Sequence, residues 1–357
     1  MKQIEELNRL SDPNILHTVT LPELYETIYE TKPPIIEDVL FPGLCVVAGD
    51  SKIGKSFLVS QLAYHVASGT EIWNKRVSQG TVLYFALEDN YPRLQKRMYK
   101  MFNGESSDQL HFSNVSGKLG DGLEEQIANF IKANKNTNLI IIDTFQRIRG
   151  KTSENYSYAN DYEVIAKLKG IADNYGICLL LVHHTRKDKK TDPFENINGT
   201  TAIMGAADET IMLSKENRTS SNATLFITGR DQPETKIEIV KNRETLLWEL
   251  IRFDDELYKE EPDPLVALLA EKVHTNGGKW EGSASELADF LCTDLPPNKL
   301  TYKLNINASN LFANHKIIYK SHRDRSGRQI SLQQVETENV TIDDDSADKT
   351  QGGILSA

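Results

Sequence analysis

Gly49-Asp50-Ser51-Lys52-Ile53-Gly54-Lys55-Ser56 reads G-x-x-x-x-G-K-S, and this stretch decides the fold. The pattern is that of a phosphate loop, in which backbone N–H groups and a helix N-terminus surround phosphate oxygens. Its flanks supply the context the pattern needs. Gly43–Ala48 (GLCVVA) is an apolar run of strand length, as expected of a strand buried on both faces. Phe57–Ala67 carries Leu58, Leu62 and Val66 at helical spacing. Strand, glycine loop and helix thus follow in the order phosphate binding requires. Lys55 is expected to reach the β- and γ-phosphates, and the Ser56 hydroxyl to ligate Mg²⁺. The expected nucleotide-binding segment is Gly49, Asp50, Ser51, Lys52, Ile53, Gly54, Lys55, Ser56 and Phe57. A glycine turn before a helix that binds nothing is the plainer alternative.

The 357 residues are enough for two domains with cores of their own. The composition, 39% hydrophobic and 26% charged, is that of a globular protein. No apolar run approaches the about 20 residues of a membrane span, so no membrane partner is expected. Cys45, Cys178 and Cys292 are odd in number and scattered, which argues for reduced thiols and a cytoplasmic location. A net charge of −10 excludes a surface coated for nucleic acid, though not a local basic patch.

Residues 1–35 end at Pro33-Pro34 and read as a lead-in segment. From 36 to about 258, strand-like runs alternate with helical stretches. The runs are Leu44–Ala48, Thr81–Leu87, Leu139–Asp143, Ile177–His183, Glu209–Leu213 and Ala223–Thr228; the helical stretches include Asp121–Ala133 and Asn160–Tyr175. Such alternation means βαβ units and a mainly parallel sheet flanked by helices, an α/β fold. The later strands are closely spaced across polar turns, so that end of the sheet is expected to be antiparallel. Residues 260–264 (EEPDP) read as a linker. A smaller α+β pattern follows over 262–335. It comprises helices at 265–274, 287–291 and 298–314, with a capping box at Ser283–Glu286, and then strands at 317–321 and 329–332 around a basic turn. Three helices followed by a two-stranded wing is the outline of a winged helix. Residues 336–357 are acidic and polar and are expected to be a disordered tail.

Three strand ends carry further chemistry. Leu139–Asp143 ends in a carboxylate, and an Asp on the strand beside the loop strand holds Mg²⁺ in phosphate-loop ATPases. Asp143 fits that role, or is an ordinary strand-end Asp. Thr81–Leu87 leads to Glu88 and Asp89; Glu88 is placed to orient or deprotonate an attacking water, and Asp89 to cap the next helix. Leu180–Val182 ends in His183 and His184, which alternation points to opposite faces. One is expected to meet the γ-phosphate or its water, and the other to be a satisfied core histidine. Arg230 reads either as a solvated turn residue or as an arginine finger for a neighbouring subunit's nucleotide, with Arg186, Lys187 and Arg218 in competition.

Six stretches resemble RecA-like ATPases of the hexameric replicative helicase superfamily, in that family's order: residues 49–69, 82–98, 139–149, 161–187, 198–213 and 225–231. The likeness is greatest to RepA-type plasmid helicases and the related AAA family ATPases of phages and mobile elements. The resemblance implies a RecA-like core, ATP and Mg²⁺ as cofactors, and ATP hydrolysis coupled to single-stranded or forked DNA in replication of a plasmid, phage or other mobile element. It also implies self-association into a ring of six, with replication proteins as possible partners. By position, Lys55 and Ser56 would bind phosphate and Mg²⁺, Glu88 would be the catalytic carboxylate, Asp143 the Walker-B Asp, His184 the γ-phosphate sensor and Arg230 the trans-acting arginine. One departure stands out: RepA-type helicases carry a finger Arg soon after the equivalent of Ala206-Ala207-Asp208, and here Glu209-Thr210 follow. The alternative function is therefore an ATP-switched DNA-binding regulator or helicase loader that does not unwind DNA.

The nucleic-acid candidates are Lys299, Lys303, Lys316, Lys320, Arg323, Arg325 and Arg328, gathered on the third helical stretch and the wing. A protein-docking face and plain structural packing are the competing readings of this charge. Trp280 reads as a core anchor.

Overall fold

The structure is a computed structural model; it describes residues 16, 18–29, 32–148, 158–184, 205–217, 219–230, 234–254, 263–324 and 327–335. The chain divides into two units, residues 32–261 and residues 1–31 together with 262–357.

Among the described residues, the first unit is built on a nine-stranded sheet. In chain order the strands are β1 (Gly43–Gly49), β2 (Thr81–Ala86), β3 (Leu110–Ser113), β4 (Thr137–Asp143), β5 (Cys178–His184), β6 (Glu209–Ser214), β7 (Asn222–Gly229), β8 (Thr235–Lys241) and β9 (Trp248–Asp254). Their lateral order is β3-β2-β4-β5-β1-β6-β7-β8-β9. Pairing is parallel from β3 to β6 and antiparallel from β6 to β9. This is the parallel sheet with an antiparallel end that the sequence pattern implies. One expectation fails: the Asp143 strand does not lie beside the loop strand, because β5 is inserted between β4 and β1.

The apolar runs are continuous because both faces of the sheet are covered. Cys45 and Val47 of β1 pack into one core with Leu58, Leu62 and Val66 of the helix after the loop, α2 (Lys55–Ser68). Leu44, Val46 and Ala48 pack into the other core. There they meet Leu123 and Ile127 of α4 (Leu123–Ala133) and Ile165, Leu168 and Ala172 of α5 (Tyr158–Tyr175). A further helix, α3 (Tyr91–Phe102), is capped by the Asn90 side chain, which accepts from Arg93 N at 2.9 Å. Asp89, the expected cap, instead pairs with Arg97 at 2.6 Å and Arg93 at 3.2 Å.

The second unit contains α6 (Pro264–Thr275), β10 (Lys279–Ser283), α7 (Ala284–Leu291), α8 (Pro297–Ile306), α9 (Ala308–His315), β11 (Ile317–Asp324) and β12 (Gly327–Gln334). The expected capping box forms: Glu286 N donates to Ser283 Oγ at 3.3 Å, and Ser283 N to Glu286 Oε2 at 2.7 Å. The expected third helix is two helices broken at Asn307. Where two strands are expected, the sheet has three, in the order β10-β12-β11. Leu269, Val273, Leu287, Leu300, Leu304 and Leu311 pack with Ile330 and Leu332 in its core, and Trp280 packs against this core beside Phe290.

The reading of residues 1–35 as a lead-in is corrected in part. A short helix, α1 (Leu21–Glu26), belongs with this second unit. Asn305, buried on α8, donates to the Tyr25 carbonyl at 2.9 Å and accepts from the Tyr319 hydroxyl at 2.8 Å. Tyr25 packs on Tyr302 with ring centroids 5.3 Å apart, and Ile28 joins the core. Nothing in the spacing of residues 1–35 reveals a partner some 280 positions away in sequence. Of the expected linker at 260–264, residues 260–262 lie outside the described residues, as does the acidic tail at 336–357, while Asp263 caps α6 and Pro264 opens it.

Asn305→Ala removes both hydrogen bonds at once. It is expected to cost about 1–3 kcal/mol, seen as a lower urea midpoint for the second unit. An unchanged midpoint would mean that α1 is not held through this residue.

Candidate functional site

The parallel strands end together at one edge of the sheet, and register decides which side chains meet there. Gly49 of β1 stands opposite His184 of β5, and Ala86 of β2 opposite Asp143 of β4. The phosphate loop, His184, Asp143 and the Glu88 turn therefore share one rim. The backbone of the loop demands its glycines. Gly49 has φ +155° and a Cβ there would lie 2.6 Å from the Leu213 carbonyl; Gly54 has φ +118° and a Cβ there would lie 2.8 Å from the Trp248 ring. Lys52 within the loop is also left-handed, at φ 64°.

Lys55 is buried, only 4% exposed. Its ammonium donates to Gly49 O at 2.7 Å and Asp50 O at 2.8 Å, and lies 2.9 Å from His184 Nδ1. Burial pulls its pKa down to about 8, against the opposing pull of Asp143, Asp50 and Glu88. Burial also lowers the pKa of His184, and the Lys55 charge lowers it further, so the imidazole is neutral near pH 7 and accepts from Lys55 through Nδ1. Asp143 is buried and accepts the Tyr84 hydroxyl at 2.9 Å. Tyr84 is buried beside this carboxylate, and both effects raise its pKa, so it stays a donor. Glu88 is exposed at the mouth of the site. His183, on the opposite face, is buried against Phe145 with ring centroids 6.1 Å apart.

The residues present fit a nucleotide phosphate chain and a divalent cation. A phosphate would replace the two backbone carbonyls as acceptor of the Lys55 protons. Ser56, in the first turn of α2, and Asp143, held by Tyr84, would supply oxygen ligands to Mg²⁺, which neutralises developing phosphate charge.

Arg230 lies elsewhere. Its backbone N–H donates to Asp208 O at 3.0 Å, and Asp208 in turn accepts from Leu44 N at 3.0 Å. These contacts lie at the start of β1; Leu44 is five residues before Gly49, or about 17 Å along the strand. The Arg230 guanidinium bonds Gly205 O at 3.1 Å, stands 3.7 Å from Asp208 Oδ1 and is half exposed. It does not meet the phosphate loop of its own chain. Glu209, which follows Asp208, is buried and accepts from Phe41 N at 3.2 Å. The competing cations Arg186, Lys187 and Arg218 lie outside the described residues.

The basic candidates of the second unit are not equally free. Lys303 pairs with Asp263 at 2.9 Å and Arg328 with Glu26 at 3.0 Å. Arg323 is 3.9 Å from Glu26 and stays exposed, as do Lys299, Lys316 and Lys320. Arg325 lies outside the described residues. Sequence reasoning missed Tyr84, which only the β2–β4 pairing brings to Asp143.

With a folded-state pKa of about 8, Lys55 has lost its proton between about pH 8 and 10 while the unfolded chain still holds one, so its contribution to stability rises with pH there. Below pH 8 the cost of burying the charge is present in full. Lys55→Met is therefore expected to gain stability relative to the ligand-free wild type as pH falls from about 10 to 8, measured by urea unfolding. A pH-independent difference would contradict a depressed Lys55.

The pattern of the AAA domain family matches residues 14–190. No curated protein matches the chain in sequence. A solved DnaB-like replicative helicase, described with its interactions with primase, is 12% identical over 70% of this chain and 71% of that chain, with a TM-score of 0.52. A solved ATPase domain is also 12% identical, over 59% of this chain and 85% of that chain, with a TM-score of 0.49. The unit formed by residues 32–261 has the fold of a RecA-like P-loop ATPase, and residues 14–190 carry the match to the AAA domain family.

Proposed function

We propose that the protein is a Mg²⁺-dependent ATPase whose hydrolysis is coupled to DNA, a helicase-type motor in the replication of a plasmid, phage or other mobile element. The observation that carries this reading is the rim where the loop after β1 with Lys55, His184 of β5, Asp143 of β4 and the Glu88 turn after β2 stand together. In this reading Lys55 binds the β- and γ-phosphates. Ser56 and Asp143 hold Mg²⁺, and Tyr84 fixes the Asp143 carboxylate for that task. Glu88, open to solvent, orients the attacking water and accepts its proton. A γ-phosphate that takes the Lys55 protons frees His184 Nδ1 to report the nucleotide state.

The position of Arg230 supports a role across a subunit boundary. It is far from the loop of its own chain, half exposed, and set on a strand end held by Asp208. It would act in a ring, expected to be of six copies, where one subunit's Arg230 edge meets the next subunit's nucleotide. The second unit, with three helical segments after α6 and a three-stranded sheet, is read as a winged helix that contacts DNA through Lys299, Lys320 and Arg323, with Lys303, Arg325 and Arg328 alongside. Replication proteins are further partners in this reading, and the location is cytoplasmic. No described helix is long and apolar enough to cross a membrane.

A second reading has an observation in its favour. The segment after Asp208 is buried in β6 and offers no finger. An ATP-switched DNA-binding regulator or helicase loader would need no such group.

Steady-state ATP hydrolysis with and without single-stranded DNA separates the two. The motor reading expects strong stimulation by the strand, absent in Lys55→Ala; hydrolysis indifferent to DNA favours the switch. Adding Arg230→Ala subunits to wild type is expected to lower the specific activity of the mixture more than dilution does. Activity that follows dilution alone removes the trans role of Arg230.

A further inference from the structure

A second group of cations abuts the phosphate loop, on elements that the G-x-x-x-x-G-K-S pattern does not mark. Lys241 ends β8, Lys215 follows β6, and Arg97 and Lys100 lie on α3. Lys241, Lys215 and Arg97 converge on two aromatic side chains, Phe57, next after Ser56, and Trp248, the first residue of β9, and the Lys100 charge acts on Lys241. The Lys241 Nζ stands 3.5 Å from the Phe57 ring centroid and 5.7 Å from that of Trp248. Lys215 Nζ is 5.1 Å from the Trp248 ring, and the Arg97 guanidinium 5.2 Å from that of Phe57. The group touches the loop itself, since a Cβ at Gly54 would fall 2.8 Å from Trp248 and 3.8 Å from Lys241 Nζ.

Gathering like charges costs free energy unless a counter-charge answers them. Among the described residues no carboxylate stands at ion-pair distance from Lys215, Lys241 or Lys100; Arg97 is paired, with Asp89. Lys241 responds as an uncompensated cation does. Burial, then the charges of Lys215, Arg97 and Lys100, bring its pKa down to about 8, and burial lowers that of Lys215. The ring face of Phe57 holds the ammonium in place without using its hydrogen-bond donors, which remain available to an anion. The loop and the first turn of the 14-residue α2, which begins at Lys55-Ser56, lie directly before Phe57 and form the anion-binding end of that helix; the Phe57 N–H itself is taken by Gly54 O at 3.1 Å. In a phosphate loop the backbone N–H groups face the α- and β-phosphates, while the loop lysine reaches β and γ.

We propose that Lys241 and Lys215 form a second anion site contiguous with the phosphate loop, which takes the α-phosphate of the nucleotide bound there. The inference rests on the nucleotide reading of the loop. Lys55 then answers the distal phosphates and Lys241 with Lys215 the proximal one, while Arg97 and Lys100 add to the positive field. Because nucleoside diphosphates and triphosphates both carry an α-phosphate, the site contributes equally to both. It secures the nucleotide through hydrolysis, when the γ-phosphate leaves Lys55.

Calorimetric titration of the full chain with Mg-ADP and Mg-ATP tests this in wild type, Lys55→Ala, Lys241→Met and Lys241→Arg. Lys241→Met is expected to weaken both nucleotides by a similar factor of about ten or more, and Lys241→Arg to restore most of the loss. A loss confined to ATP, a loss that Arg does not restore, or no loss overturns the α-phosphate site. Wild-type protein that binds neither nucleotide, or binds equally well as Lys55→Ala, overturns the loop reading instead. Tryptophan emission and the unfolding midpoint report whether Lys241→Met is folded. If it is not, Lys215→Met carries the same expectation of equal loss for ADP and ATP.

Discussion

A buried ammonium group ties the site together. Lys55 sits where water cannot reach it freely, and its charge is tolerated because two loop carbonyls and a neutral histidine accept its protons. That arrangement depends on strands ending in step. Gly49 and His184 are register partners on β1 and β5, and a slip of one residue would turn His184 to the other face. The register in turn depends on apolar runs packed on both sides, with Val47 and Val182 in one core and Val46 and Leu181 in the other. The chemistry at the rim is thus a consequence of how the middle of the sheet is packed.

The same sheet separates two kinds of cation. Lys55 and the Lys241 group lie at the loop, where phosphate charge is expected. Arg230 lies near the far end of β1, bound to Gly205 and near Asp208. A strand length between them means that one chain cannot bring both to one nucleotide. Lys169 also bonds Asp208, so this carboxylate answers two cations as well as the Leu44 N–H. Such a site keeps a half-exposed arginine in one place.

In the second unit the charge pattern is partly an internal matter. Glu26 of α1 and Asp263 at the start of α6 neutralise Arg328 and Lys303, which a reading by composition counts as free. Partly exposed ion pairs of this kind contribute little to stability. Their effect is on the surface: among the described candidates only Lys299, Lys316 and Lys320 stand outside any ion pair, and Arg323 is 3.9 Å from Glu26. The apolar and hydrogen-bonded seam through Tyr25, Tyr302 and Asn305 joins the two chain segments that make up this unit, residues 1–31 and 262–357.

The sequence by itself determined the α/β class, the phosphate loop, most parallel strands and the strand ends where Glu88, Asp143 and His184 stand. It could do so because glycine spacing, apolar runs and helical periodicity are local properties of the chain. It did not reveal β3, β8, β9 or β10, which are short, polar or half exposed and lack a continuous apolar run. Only the tertiary structure decided the lateral order of strands, and with it the insertion of β5 between β1 and β4 that brings His184 to Lys55. Only it joined Tyr84 to Asp143, Lys241 to Phe57 and Asn305 to the backbone of Tyr25. These contacts link residues tens to hundreds of positions apart, and their partners are chosen by crossovers and packing rather than by neighbouring residues.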